Sequence, residues 1–167
     1  MKRRLKVFKT KNNAHPNSLW HWEKAQNPLK IYFNFIITAL AKYTPSLRVK
    51  NALYRLLGMK IGNHASIAAG VTVDFIFPEL IEIGDNAVIG YGTLLTAHEF
   101  LVSEYRKGKI KIGKNVLIGA NSTILPGVEI GNNATISACS LVNADIPPNA
   151  FVGGVPAKPI KKRKLKN

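Results

Sequence analysis

The chain has 167 residues and a formal charge of +15, from 24 Lys and Arg against nine Asp and Glu, a length that suits one domain with accessory segments. A single cysteine, Cys139, excludes a disulfide framework and fits a reducing compartment. Half of the basic residues lie at the ends, Lys2, Arg3, Arg4, Lys6, Lys9 and Lys11 on one side and Lys158, Lys161, Lys162, Arg163, Lys164 and Lys166 on the other. The body between them is close to neutral, and the ends lack the repeated aromatic interleaving of a nucleic-acid grip, so no nucleic-acid partner is expected.

Residues 1–27 read as an irregular basic arm with Pro16, several Asn and no periodicity. No continuous apolar run follows Lys2-Arg3-Arg4, so a cleaved secretory signal is not expected. Trp20 and Trp22 are expected to pack onto the element after them, with a role as interfacial anchors the alternative. That element is a predicted helix from Pro28 to Tyr43, apolar except for a thin stripe of Lys30, Asn34, Thr38 and Lys42. It is shorter than the roughly twenty residues a bilayer span requires. Two seats stay open for it: the body of the protein or a neighbouring subunit, or the interface of an anionic membrane beside the basic arm. Pro45-Ser46 then breaks the chain and starts a second helix to Leu57, with Val49, Leu53, Leu56 and Leu57 on its inner face and Gly58 just past its end. Residues 28–60 thus form a helical cap over the open end of the repeat that begins at Ile61.

From Ile61 to about Val155 an aliphatic residue returns at every sixth position: Ile61, Ile67, Val73; Ile83, Ile89, Leu95; then Ile112, Ile118, Ile124, Ile130, Ile136 and Val142. All twelve sites are Ile, Leu or Val, which make up only 44 of the 167 residues, so the pattern is not chance. A six-residue period is the mark of a parallel β-helix. Three hexads close a triangular turn of about eighteen residues, and turns stack at roughly 4.8 Å. Corners want residues that tolerate positive φ, and this reading assigns that role to the glycines after the aliphatic position and to Asp85-Asn86, Lys114-Asn115 and Asn132-Asn133. Cys139, inside a hexad, is a packed or corner residue. Four extra residues intrude between Val73 and Ile83, and eleven between Leu95 and Ile112. Such breaks are expected to be loops on a binding face.

The run Ile112-Gly113-Lys114-Asn115-Val116-Leu117-Ile118-Gly119-Ala120-Asn121-Ser122-Thr123-Ile124-Leu125-Pro126-Gly127-Val128, followed by Ile146-Pro147-Pro148-Asn149 and Gly154-Val155-Pro156-Ala157-Lys158, resembles the hexapeptide-repeat acyltransferases of the maltose/galactoside O-acetyltransferase type. The resemblance implies a mainly β fold, a left-handed parallel β-helix over residues 61–155 with N-terminal amphipathic helices, a loop at 99–109, and a CoA-binding segment and basic tail over 156–167. It further implies a homotrimer with acetyl-CoA sites between subunits. The single cysteine, the missing signal and the basic, amphipathic N-terminus make the expected location the cytoplasm or the periphery of the membrane's inner face.

His98 stands three residues after Leu95, where the repeat breaks. On spacing alone a structural histidine is the commoner outcome; the resemblance makes His98 the general base, because the family's catalytic His precedes such a loop. Imidazole suits that task because it titrates near neutrality. Its second ring nitrogen must be held, by Glu99 or a backbone carbonyl. The resemblance carries the oxyanion donor to the backbone N–H of Ala120 after Gly119, though Leu117 and Ala120 stand where the family often has Trp and Ser. CoA contacts carry over to Gly119, Ala120, Leu117, Gly154, Pro156, Ala157 and Lys158, with Lys161 adding charge. The family's acceptor-binding residues have no clear counterparts; Asp74, Tyr91 and Tyr105 are polar groups expected to face the cleft. The acceptor is expected to be a hydroxyl- or amino-bearing compound of sugar or polysaccharide type. A zinc hydratase on this fold needs three histidines, and no second one lies in the coils near His98, so no metal is expected. The rival is a nonenzymatic trimeric scaffold that binds an anionic polymer or a membrane through its basic ends.

Overall fold

A computed structural model describes residues 3–9 and 17–160. Short parallel strands form three faces of a triangular coil. The first face stacks Lys60–Ile61, Ile81–Ile83, Ile110–Ile112 and Glu129–Ile130. The second stacks Ser66–Ile67, Val88–Ile89, Leu117–Ile118, Thr135–Ile136 and Phe151–Gly153, and the third Thr72–Val73, Leu94–Leu95, Thr123–Ile124 and Leu141–Val142. Every one of the twelve sixth-position aliphatics is buried, and the register sets each above its counterpart: Ile61 under Ile83, Ile112 and Ile130, and Val73 under Leu95, Ile124 and Val142. Ala65, Val71, Ala87, Thr93, Val116, Ser122, Val128, Ala134 and Ser140, four residues after nine of these twelve, are buried too. Nine of the twelve hexads therefore contribute one large and one small inward side chain, and stacking them builds a continuous core.

The corners correct the expectation about glycine. Gly84 and its equivalents do not occupy the positive-φ region. A Cβ on Gly84 would stand 2.6 Å from the Gly113 carbonyl carbon, so the next coil lies where a side chain would be. Left-handed backbone falls two residues later, on Asn86, Asn115 and Asn133, with φ of 54°, 54° and 59°. Asparagine tolerates that conformation, and here the amides form a ladder, Asn86 donating to Asn115, Asn115 to Asn133 and Asn133 to Asn149 at 3.0–3.1 Å. Cys139 is an exposed corner residue in the same conformation. Gly84→Ala is expected to cost about 1–3 kcal/mol by overpacking. A urea midpoint equal to the parent's would refute this account of the glycine.

The helices form where the sequence placed them, α2 over Pro28–Tyr43 and α3 over Leu47–Leu56, after a short α1 at Trp22–Ala25. Ser46 accepts from the Val49 N–H as N-cap, and Gly58 follows with φ of 88°. Their inner faces differ from the expectation. On α3, Lys50, Asn51, Tyr54 and Leu57 turn inward while Val49 and Leu56 are exposed. The reason is the open edge of the first coil, whose carbonyls need donors. Lys50 Nζ donates to Ala68 O at 3.0 Å, Asn51 Nδ2 to Ala65 O at 2.8 Å, and the Arg55 guanidinium to Ile61 O at 2.9 Å. On α2 the buried residues are Ile31, Asn34 and Ala41, with Asn34 donating to Phe75 O at 2.9 Å. The polar stripe thus supplies part of the packed face, and Leu29, Phe33, Ile36, Leu40 and Tyr43 are left exposed.

Burial of Tyr54 pushes its phenol up to about 12. Because the folded pKa exceeds the unfolded value of about 10, the stability linked to this proton is complete below pH 10 and is lost as pH rises from 10 to 12, by roughly 2–3 kcal/mol in all. Tyr54→Phe is therefore expected to lose less melting temperature than the parent between pH 8 and 11. An equal loss in both would remove Tyr54 as the cause.

The described part of the N-terminal stretch, residues 3–9 and 17–27, is not an irregular arm outside the coil. Lys6–Lys9 is a strand, antiparallel to Glu104–Lys107, which pairs in turn with His98–Phe100. The expected loop at 99–109 is accordingly a hairpin, and the N-terminal segment completes a three-stranded sheet on it. Aromatic stacking explains the docking: Phe8 lies on Tyr105 at 4.6 Å between centroids, nearly parallel. The next segment is held as well, Ser18 Oγ donating to Leu101 O at 2.5 Å. Trp22 meets Tyr32 of α2 edge-on at 6.0 Å, as expected, whereas Trp20 is 65% exposed.

Candidate active site

Both interruptions of the repeat leave the third face and return to the first, so they stack at one corner of the triangle. Val73 pairs with Leu95, and the residues that follow each strand emerge one above the other. Asp74 leaves the lower strand and Ala97-His98 the upper. The Asp74 side chain is fully buried, yet every contact it makes suits a carboxylate: Oδ1 accepts from the Ile76 and Phe77 N–H groups, both at 2.9 Å, and Oδ2 from the Ala97 N–H at 2.7 Å. Oδ2 also meets His98 Nδ1 at 2.5 Å.

A neutral imidazole with Nδ1 turned to a carboxylate carries its proton there and keeps the lone pair on Nε2. No group among the described residues hydrogen-bonds Nε2. The ring stands edge-on to Phe77 at 5.9 Å and Phe100 at 5.1 Å, with 16% of its side chain exposed. The result is an oriented imidazole with one nitrogen available, set against two aromatic rings.

This geometry corrects two expectations. Glu99 does not hold the imidazole: successive strand residues point to opposite faces, and Glu99 is paired with Arg3 at 2.5 Å. Asp74 does not face an acceptor, since its oxygens are committed within the coil. The sequence signal for the true partner is positional. Asp74 follows Val73 as Thr96 follows Leu95, so coil stacking sets it beneath the residues around His98. Tyr105 lies in the aromatic cluster beside Phe100, and burial pushes its phenol up.

The remaining candidates sit elsewhere. Leu117, Gly119 and Ala120 lie at the corner between the second and third faces, where Tyr91 is 62% exposed one coil below. Leu117 is exposed, and the Ala120 N–H donates to no backbone carbonyl or side chain among the described residues. A Cβ on Gly119 would stand 2.3 Å from Ala138 N, so coil stacking already accounts for this glycine. Gly154, Pro156, Ala157 and Lys158 form the end of the stack: Leu141 donates to Gly154 O, Ala157 donates to Leu141 O, and Lys158 begins an exposed strand. Lys161 lies outside the described residues. One chain thus keeps His98 and the Ala120 N–H at different corners. Among the described residues no group of three or more His, Cys, Asp or Glu is placed to hold a metal ion.

Comparison with known proteins reads this architecture directly. The bacterial transferase hexapeptide (six repeats) family matches residues 109–144. Galactoside O-acetyltransferase of Escherichia coli (strain K12) is 31% identical over 157 residues, covering 90% of this chain and 72% of the relative. The chain belongs to the hexapeptide-repeat acetyltransferases. A nearer relative of this acetyltransferase is YvoF of Bacillus subtilis (strain 168), which carries a provisional acetyltransferase name and is 50% identical over 153 residues, 89% of each chain. Among solved structures, the Vibrio cholerae O1 biovar eltor hexapeptide-repeat acetyltransferase VCA0836, complexed with acetyl-CoA, superposes with a TM-score of 0.65 at 25% identity, covering 89% of this chain and 90% of that one. The coil of the present acetyltransferase is the left-handed parallel β-helix of this family.

Proposed function

We propose that this acetyltransferase moves the acetyl group of acetyl-CoA to a hydroxyl of a sugar-type acceptor, with His98 as general base and Asp74 as the residue that positions it. The observation that carries the reading is the Asp74–His98 pair, which fixes the imidazole proton on Nδ1 and leaves Nε2 as the acceptor of a proton. The acceptor hydroxyl gives its proton to Nε2 as its oxygen attacks the thioester carbon. The tetrahedral intermediate then collapses with cleavage of the C–S bond, and Nε2–H returns the proton to the leaving thiolate. The Ala120 N–H supplies the oxyanion donor, and exposed Leu117 and Lys158 contribute to the seat of the cofactor chain and phosphates. Because His98 and Ala120 occupy different corners of one chain, the complete site forms between subunits of a homotrimer.

Acetyl-CoA turnover, followed by thiol release and by mass of the product over a panel of mono- and disaccharides, tests this. An ester product of acetyl mass is the expected result. Absence of product together with failure of CoA to bind in calorimetry favours the scaffold instead.

No helix among the described residues is long and apolar enough to cross a membrane. The exposed Leu29, Phe33, Ile36, Leu40 and Tyr43 of α2, with Trp20 nearby and Glu23 the sole acidic residue between positions 17 and 57, support peripheral seating on an anionic bilayer. Sedimentation with anionic but not neutral vesicles is the expected outcome. Equal partition to both kinds, or to neither, opposes it.

A further inference from the structure

A cleft of about 620 Å³ opens beside the His98 corner, between the docked N-terminal strand, the base of the hairpin and the first face. Its wall carries Arg4, Lys6, Lys107, Lys109 and Lys111 against a single carboxylate, Glu129, and its apolar lining includes Leu5 and Leu80. Three of the cations are already matched. Arg4 pairs with Glu129 at 3.3 Å and Asp145 at 3.1 Å, Lys111 with Glu129 at 3.2 Å, and Lys109 with Glu82. Lys6 and Lys107 have no acidic partner among the described residues. Lys6 and Lys107 stand opposite each other in the strand register and both line the cleft, so their charges repel unless an anion joins them.

Lys107 is also held in place. Its Nζ lies 4.3 Å from the centroid of Phe77 and 5.3 Å from that of Phe8, so the ring faces fix a normally mobile cation. Phe77 is the ring that stands edge-on to His98, and Lys107 is the residue opposite His98 in the hairpin register. An anion on Lys107 is therefore anchored one aromatic ring away from the imidazole. The outward positions of the first face, Lys60, Glu82, Lys111 and Glu129, are all charged, and Lys111 and Glu129 line the cleft.

We infer that this cleft binds the phosphate of the acceptor, so that the substrate class is a phosphate-bearing hydroxyl compound such as a sugar phosphate or a glycerol phosphate unit. The volume exceeds what a bare ion fills, and paired ammonium groups with apolar walls suit a phosphate joined to a carbon skeleton. The inference rests on His98 being the base, but its test reads binding and not turnover, so the two can fail separately. CoA also carries phosphates, and its seat in the reading above lies at the other corner, near Lys158.

The experiment is calorimetry on the full-length protein at fixed ionic strength, with glycerol 3-phosphate and glucose 6-phosphate against glycerol and glucose, and with CoA in a separate arm. The phosphorylated compounds are expected to bind at least about tenfold more tightly than their neutral parents, and raised salt to weaken only them. Lys6→Gln/Lys107→Gln is expected to abolish that preference and leave CoA affinity unchanged, and His98→Ala to retain it. Lys6→Gln alone, at an exposed position, lowers the preference without touching the packed Lys107. Equal binding of phosphorylated and neutral probes, or a preference that survives the double variant, overturns the inference. A parallel loss of CoA affinity does so too, because it assigns the cleft to the phosphates of CoA.

Discussion

His98→Ala is expected to lower kcat by about 10²–10⁴-fold, the usual contribution of a positioned general base. The change should fall on kcat rather than on the KM for acetyl-CoA, because the cofactor's contacts lie at another corner and the imidazole's help is realised only in the transition state. Stability should change little. The Asp74 carboxylate keeps its three backbone N–H donors, so removing the ring does not leave a buried charge without partners. Steady-state kinetics beside a thermal melt separates these effects. A variant that retains full turnover would dismiss His98 from the chemistry, whereas one that fails to fold would make the ring structural.

Asp74→Asn is expected to be nearly as damaging to turnover, and it also touches the fold. The replacement preserves shape, and its carbonyl oxygen can still accept from Ile76 and Phe77. Its NH₂ then faces both the Ala97 N–H and His98 Nδ1, where the carboxylate accepted from each. A donor facing Nδ1 stabilises the tautomer with its proton on Nε2, which removes the lone pair that the reaction needs. In a Ser-His-Asp triad the equivalent change costs about 10⁴ in kcat, and a loss of roughly 10²–10⁴ is the expectation here. The unpaired Ala97 N–H adds about 1–3 kcal/mol of destabilisation. The diagnostic readout is the tautomer: ¹⁵N chemical shifts of His98 should move its proton from Nδ1 to Nε2. Unchanged shifts with unchanged turnover would reduce Asp74 to a bracket for the loop after Val73.

The stacking arithmetic of the repeat contains more of this site than a residue-by-residue reading extracts. Asp74 and His98 are 24 positions apart, yet they emerge at one corner because each follows a strand of the third face. Glu99, adjacent to His98 in the chain, points away and binds Arg3. Sequence neighbours suggest the wrong partner because a strand alternates its side chains, while the coil brings equivalent positions of successive turns together. The glycines mislead for a related reason. Gly84 and Gly119 answer to a backbone in the coil above, a constraint that local turn chemistry does not contain.

By itself the sequence determined the six-residue period, the inward ladder from Ile61 to Val142, the bounds of α2 and α3 and the candidacy of His98, because each follows from local periodicity, capping or motif. Tertiary structure alone decided that Asp74 holds the imidazole, that Lys6–Lys9 joins the hairpin, and that α3 turns Lys50 and Asn51 inward. Those outcomes depend on which carbonyls, rings and charges lie nearby once the coils have stacked, and distance along the chain does not encode that.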